Sequence, residues 1–240
     1  MKNGGIMKKK IILFLLIFLV SVYVFADDVL KKADAYRNYS DDGFSFVYTL
    51  MEDKDETIME TYVKQGEKNC VLVVYRSPKK LAKRRIFVND TTFWMYDSKM
   101  NSPIRISAQQ MLSGQAGAGD ISNIIFSKIY EIIDIEEGDF FINLELSIKQ
   151  ESSGNYPKVI LTLEKESYKP LKALFYSATD VLLKTVNYTE YKVVEGKELL
   201  IGFEIINELN NKKSVIRLSD FDVLKLSDNY FSKEGMKLVK

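Results

Sequence analysis

The 240-residue chain contains no histidine. That absence removes the commonest general base and the commonest metal ligand together. Ser/His/Asp catalysis is excluded, a Cys/His nucleophile is excluded for the same reason, and a zinc site built from His and Cys has no ligand set. Cysteine is almost absent as well. Cys70 stands alone, so no intramolecular disulfide can form. Its place between Lys68-Asn69 and the apolar run Val71 to Tyr75 predicts a buried structural thiol, with intermolecular pairing as the alternative. There is no Pro/Gly/Ser-rich linker and no internal repeat. Excess positive charge is missing too: 34 Lys+Arg against 33 Asp+Glu leave +1, which gives no basic footprint for nucleic acid.

Acidic clusters occur at Glu52-Asp53-Asp55-Glu56 and at Asp134-Glu136-Glu137-Asp139. Neither has the D-x-D-x-D-G order of a calcium loop, and both fall at the ends of expected elements, so they read as solvated loops. The residues supply no catalytic set, no metal set and no cofactor motif, and the expectation is a protein that is not an enzyme.

What the chain does have begins at its start. Lys8 to Lys10 form a positive segment, Ile11 to Phe25 an apolar run, and Val24-Phe25-Ala26 a cleavage site, the pattern of a secretory signal peptide over residues 1–26. The apolar run is short of the ~20 residues that span a bilayer, which makes an uncleaved anchor the weaker reading. Cleavage after Ala26 is followed by Asp27-Asp28 rather than the cysteine of a lipoprotein, so a soluble exported chain is expected. It loses four lysines and no acid, which takes the formal charge from +1 to −3.

Residues 27–240 suffice for one hydrophobic core and suit one large β-domain better than two small ones. Val29 to Tyr39 has helical spacing and ends at the turn cluster Asp41-Asp42-Gly43. From Phe44 onward the period is two. Phe140, Ile142, Leu144, Leu146 and Ile148 alternate with Phe141, Asn143, Glu145 and Ser147, and ten further runs behave alike, among them Val215 to Ser219 and Val223 to Leu226. Turn residues such as Asn89-Asp90 and Glu195-Gly196 separate them. About eleven antiparallel strands predict a mainly β (α+β) fold. The sheet is strongly curved, or a half-open β-barrel, because a flat open sheet of that size curls, splits or flattens. Short helices then cover the concave face.

The stretch from Phe93 to Tyr130 carries the most pattern. Phe93-Trp94-Met95-Tyr96 is an aromatic strand, Asn101-Ser102-Pro103 a turn and Ile104 to Ile106 a second strand. Ser107 can cap a short helix through Met111, glycines 114, 117 and 119 break it, and Asp120 can cap another helix running to about Tyr130. The glycine loop invites a phosphate-binding reading, but the Gly-Lys-Ser/Thr of a P-loop does not follow. A hinge or lid at Gly114, Gly117 and Gly119 is the better functional reading, with a plain helix C-cap and surface loop as its structural alternative. Met111, Ile121, Ile124 and Ile125 put apolar side chains on these elements, a stripe that serves equally as ordinary core.

The order W-M-Y (Trp94 to Tyr96), P-I-R-I-S (Pro103 to Ser107) and G-Q-A-x-x-G-D-I (Gly114 to Ile121) resembles the bacterial outer-membrane lipoprotein-sorting proteins, relatives of the periplasmic carrier LolA. Tyr168 to Leu174, Leu183 to Tyr188 and Asp228 to Leu238 extend the likeness over nearly all of residues 27–240. One departure is Leu200-Ile201-Gly202, where the family often has proline. The resemblance implies a single carrier domain in the periplasm that binds acyl chains of lipoproteins or another lipid. Helices would shield the cavity when it is empty and yield to the chain. An inner-membrane exporter, an outer-membrane acceptor and a monomeric state are further expectations that the resemblance itself does not settle, and no cofactor is expected. The expected lining is Phe46, Tyr48, Phe87, Trp94, Tyr96, Met111, Ile121, Ile124, Ile125 and Phe175. A sensor or scaffold domain of the same fold, which binds misplaced lipoprotein or peptide, is the alternative; such a domain usually carries an extra domain, and 214 residues favour the carrier.

Overall fold

The computed structural model describes residues 28–64, 70–89, 92–106, 124–150, 152 and 156–239. Thirteen strands form one antiparallel sheet. They are β1 (Phe44–Glu52), β2 (Asp55–Lys64), β3 (Cys70–Ser77), β4 (Arg84–Asn89), β5 (Thr92–Asp97), β6 (Ile104–Ile106), β7 (Tyr130–Glu137), β8 (Phe141–Ile148), β9 (Lys158–Glu164), β10 (Pro170–Tyr176), β11 (Leu182–Val194), β12 (Lys197–Asn207) and β13 (Lys212–Val223). Strands β1 to β6 form one meander and β7 to β13 a second, and the two join where β1 pairs with β13. The free edges are β6 and β7, consecutive in the chain and not paired to each other. The described turn Phe126–Ile129 leads directly into the edge strand β7.

Local chemistry explains the turns and the bends. Glu195 and Gly196 both have positive φ, 50° and 84°, the two-residue hairpin loop whose twist matches its flanking strands. Register shifts at Ser45/Val47 in β1 and at Tyr188/Glu190/Tyr191 in β11 are bulges that bend and twist the middle of the sheet.

The two faces bury different clusters. On the concave face Leu144, Leu146, Leu161 and Leu163 are fully buried together with Val29, Leu30 and Ala33 of the helix at residues 28–35. Each such Leu contributes about 2 kcal/mol by leaving water. On the convex face Leu72, Val74 and Phe87 pack against Phe231, Met236 and Val239 of the closing segment. That segment holds two short 3-10 helices, Asp228–Tyr230 and Gly235–Leu238. It is pinned by Arg85 Nε donating to the Val239 carbonyl at 2.9 Å and by the Lys64–Asp228 ion pair at 2.8 Å. Gly235 is required there, because a Cβ would stand 1.8 Å from the Asn229 carbonyl oxygen.

Four expectations change. The helix expected to run from Asp120 to about Tyr130 is helical, among its described residues, only over Phe126–Ile129, and Tyr130 opens β7. Its isoleucines 132, 133 and 135 are β-branched and suit an edge strand paired to β8. Val215 to Ser219 and the start of Val223 to Leu226 belong to one strand, β13, which passes a positive φ at Asp220 without leaving β1. The helix expected through Tyr39 stops at residue 35, where Arg37 and Asn38 turn back onto the carbonyls of Asp34 and Ala35. Phe140 lies in a turn, largely exposed, and the alternation of β8 starts one residue later.

Candidate functional site

A cavity of about 740 Å³ lies between the concave face and the helical pieces laid across it. Its floor is sheet: Phe46 and Tyr48 of β1, Val71 of β3, Val88 of β4, Phe203 of β12 and Leu218 of β13. Alternation places them there, since residues two apart on a strand share a face. Its cover is Ile124, Ile125 and Ile129 around the helical turn, with Ala35 from the N-terminal helix. Phe44, Phe46 and Phe221 form a stack of rings along one side, with centroids 5.9 and 5.7 Å apart, and Tyr39 extends it at 5.8 Å from Phe221. The volume falls in the range of pockets that enclose a small organic ligand.

Asp34 fixes the cover. The turn Phe126–Ile129 has no side-chain cap of its own, so its first amides need an outside acceptor. The Asp34 carboxylate supplies one from 92 residues away, accepting from Phe126 N–H at 2.9 Å and Ser127 N–H at 2.8 Å. Desolvation raises the Asp34 pKa above its ordinary value, against the lowering effect of those two amides and of the Arg37 charge. From the other side Lys149 Nζ donates to the Ser127 carbonyl at 2.7 Å and Ser152 Oγ to the Lys128 carbonyl at 3.2 Å. Beneath the helix Tyr188 is fully desolvated, which pushes its phenol up to about 12. Tyr191, raised for the same reason, donates to the Pro170 carbonyl.

Of the expected lining, Phe46, Tyr48, Ile124 and Ile125 meet at this cavity. Phe175 is buried in the same concave core but packs on Tyr156, with ring centroids 5.0 Å apart, away from the cavity wall. Phe87, Trp94 and Tyr96 lie on the convex face under the closing segment, where Lys233 sits 4.7 Å above the Trp94 ring. Both faces of β3 and β4 are apolar, so size and aromaticity alone do not separate inside from outside. Met111, Ile121 and the glycines 114, 117 and 119 lie outside the described residues, as do Ser107 and Asp120. Arg105 is exposed on β6, opposite Trp94.

Phe44, Phe203, Leu218 and Phe221 were not anticipated. The alternation of β12 and β13 carried the signal for Phe203 and Leu218 once β1 was known to lie between β2 and β13. Asp34 and Arg37 had none, because their partners are remote in sequence. The acidic hairpin at residues 52–56 is a turn in which Glu52 accepts from the Ser214 hydroxyl at 2.6 Å. Among the described residues no group of three or more Asp, Glu or Cys is placed to hold a metal ion.

An unclosed, curved antiparallel sheet around one apolar cavity, with short helices over its concave face, is the architecture of the LolA superfamily. A LolA superfamily protein from Nitrosomonas europaea is 28% identical with a TM-score of 0.71, over 87% of this chain and 98% of that one. A DUF1329 family protein from Desulfovibrio piger has a TM-score of 0.72 at 18% identity, over 88% and 98%. An outer membrane lipoprotein-sorting protein domain from Vibrio parahaemolyticus has 0.73 at 18%, over 90% and 99%; these last two show the fold alone. No curated protein matches the sequence. A family model described as "Uncharacterized protein" matches residues 67–238. The chain belongs to that family, and the family has the LolA-like, lipoprotein-sorting fold.

Proposed function

We propose that the protein is a periplasmic carrier that holds an acyl chain of a lipoprotein or another lipid in the concave cavity and delivers it toward the outer membrane. Residues 1–26 serve as its signal peptide and residues 27–240 as one carrier domain that binds without catalysis. The observation that carries this reading is the cavity of about 740 Å³, walled by strand residues and covered by a helical turn that one carboxylate holds in place. Each methylene exposed to water costs ~0.8 kcal/mol, so a sixteen-carbon chain costs on the order of 12 kcal/mol unless something encloses it. Transfer through an aqueous compartment needs such an enclosure. A cover that must move aside offsets part of the binding free energy and keeps release within reach.

The test is titration of the purified protein with a fluorescent fatty-acid probe. Saturable binding is expected, and Val71→Phe, which intrudes into the floor, weakens it by roughly fivefold, equivalent to about 1 kcal/mol. A probe that fails to bind, or that binds equally well with the floor filled, contradicts the reading.

A further inference from the structure

We propose that β7 takes an extended, basic segment of a partner protein as a further strand, with lysine or arginine at every second position of that segment opposite Glu131, Asp134 and Glu136. The inference concerns the edge of the sheet and stands whether or not the cavity holds a lipid.

Strand β7 ends the strand order, and its outer side has no neighbour among the described strands. A sheet edge offers a row of backbone donors and acceptors that an incoming strand completes. Among the described residues eleven large hydrophobic side chains are exposed, and four of them, Ile133, Ile135, Phe140 and Phe141, fall within residues 133–141. Exposed apolar surface is therefore concentrated at this edge and at the turn beside it.

The side chains of β7 are sorted by face. Glu131 pairs with Ser147, Asp134 with Glu145 and Glu136 with Asn143, all on the convex face, whereas Ile132 and Ile135 pair with Leu146 and Leu144 of the concave core. Strict alternation would put Glu131 and Asp134 on opposite faces. The irregularity between Ile132 and Asp134 adds the residue that brings all three carboxylates to one face, the re-aiming that a bulge at a sheet edge performs. Glu136 is also held in place. Thr162 Oγ1 donates to Asn143 Oδ1 at 2.8 Å and Asn143 Nδ2 donates to Glu136 Oε2 at 3.2 Å, a row across three strands that orients the carboxylate and leaves its charge intact.

Residues 129–148 contain six acids and no lysine or arginine. On the neighbouring elements Lys158 pairs with Glu145 and Asp180, and Lys165 pairs with Glu137. Among the described residues no cation lies within ion-pair distance of Glu131, Asp134 or Glu136. Lys128 and Lys149 flank the stretch at the Glu131 end, so the charge is least compensated at Asp134 and Glu136. Two copies of β7 paired edge to edge would set acid against acid, which opposes a second copy as the occupant. A basic strand fits instead. Alternate residues of a strand stand about 7 Å apart on one face, so Lys or Arg at every second position meets the acids in register, and an apolar residue between them meets Ile135. Three such cross-strand pairs give roughly tenfold in affinity, reduced by salt.

The probes are short, end-blocked, fluorescently labelled peptides built from Lys-Val, Thr-Val, Glu-Val or Lys-Pro repeats, titrated against the purified protein by anisotropy at low and high salt. The Lys-Val peptide is expected to bind about tenfold tighter than Thr-Val at low salt, with Glu-Val weakest. Lys-Pro carries the same charge but lacks every second backbone donor, and it should lose most of the Lys-Val affinity. High salt narrows the ratio of Lys-Val to Thr-Val, and bound Lys-Val slows hydrogen exchange at residues 134–137. The double variant D134K/E136K, at two exposed positions, is expected to prefer Glu-Val to Lys-Val. Lys-Val equal to Thr-Val or to Lys-Pro, protection confined to another strand, or no binding overturns the proposal. Those outcomes are read on the unmodified protein, so the proposal stays testable if the variant does not fold. Titration with the fatty-acid probe reads the cavity separately, and its failure leaves the edge proposal standing.

Discussion

Asp34 is the residue on which the cover of the cavity depends. It replaces the N-cap that the sequence around Phe126 lacks, and it ties the helix at residues 28–35 to the turn Phe126–Ile129. Asp34→Ala leaves two amides without their acceptor and is expected to destabilise the fold by about 2 kcal/mol, read as a lower urea midpoint at unchanged slope. Faster hydrogen exchange at Phe126 and Ser127 should accompany it. The pH dependence has an unusual sign for a carboxylate. Because burial raises the folded pKa above 3.8, the native state binds more protons than the unfolded chain between 3.8 and that folded value. The proton-linked part of the Asp34 contribution, separate from the two amide hydrogen bonds, is fully present below 3.8 and is lost as pH rises through the folded value. Asp34→Asn should remove that component from stability measured against pH, and an unchanged profile would contradict it. Trp94, the only tryptophan, makes a second prediction. It lies under Lys233 on the convex face, so its emission should not shift when a ligand fills the cavity.

At the scale of elements, the closing segment acts as a second cover, on the side away from the cavity. Met236→Ala removes a fully buried side chain between that segment and Leu72, Val74 and Phe87. It should cost about 2–5 kcal/mol and shift Trp94 emission to the red; an unshifted spectrum would mean the segment does not cover that ring.

The same elements show what was legible in the sequence. Strands β8, β9 and β12 and the turn Glu195-Gly196 could be read directly, because alternation and turn chemistry are local. The face each residue takes could not be read for β3 and β4, since Leu72 and Val74 are as apolar as Val71 and Val73 and both faces are covered. This is why Phe87, Trp94 and Tyr96 were expected at the cavity and lie outside it. Strand β7 was hidden by Asp134, Glu136 and Glu137, whose exposure at a free edge reads like a solvated helix end. The clasp at Asp34 was beyond reach because its partners lie 92 and 93 residues away.

At the scale of the whole molecule, two meanders joined at β1 and β13 leave an unclosed sheet with an interior that is neither open surface nor sealed core. A sealed barrel of this size would hold its content, and a flat sheet would shelter none; an unclosed sheet with a clasped cover suits the proposed uptake and return of an acyl chain. The most direct test is native mass spectrometry, with lipid extraction, on the protein purified from its own cells. The account predicts a bound mass that disappears on extraction and is identified as an acylated molecule. An empty protein that also takes up no fluorescent fatty acid would contradict it and move the reading to a protein-binding sensor or scaffold.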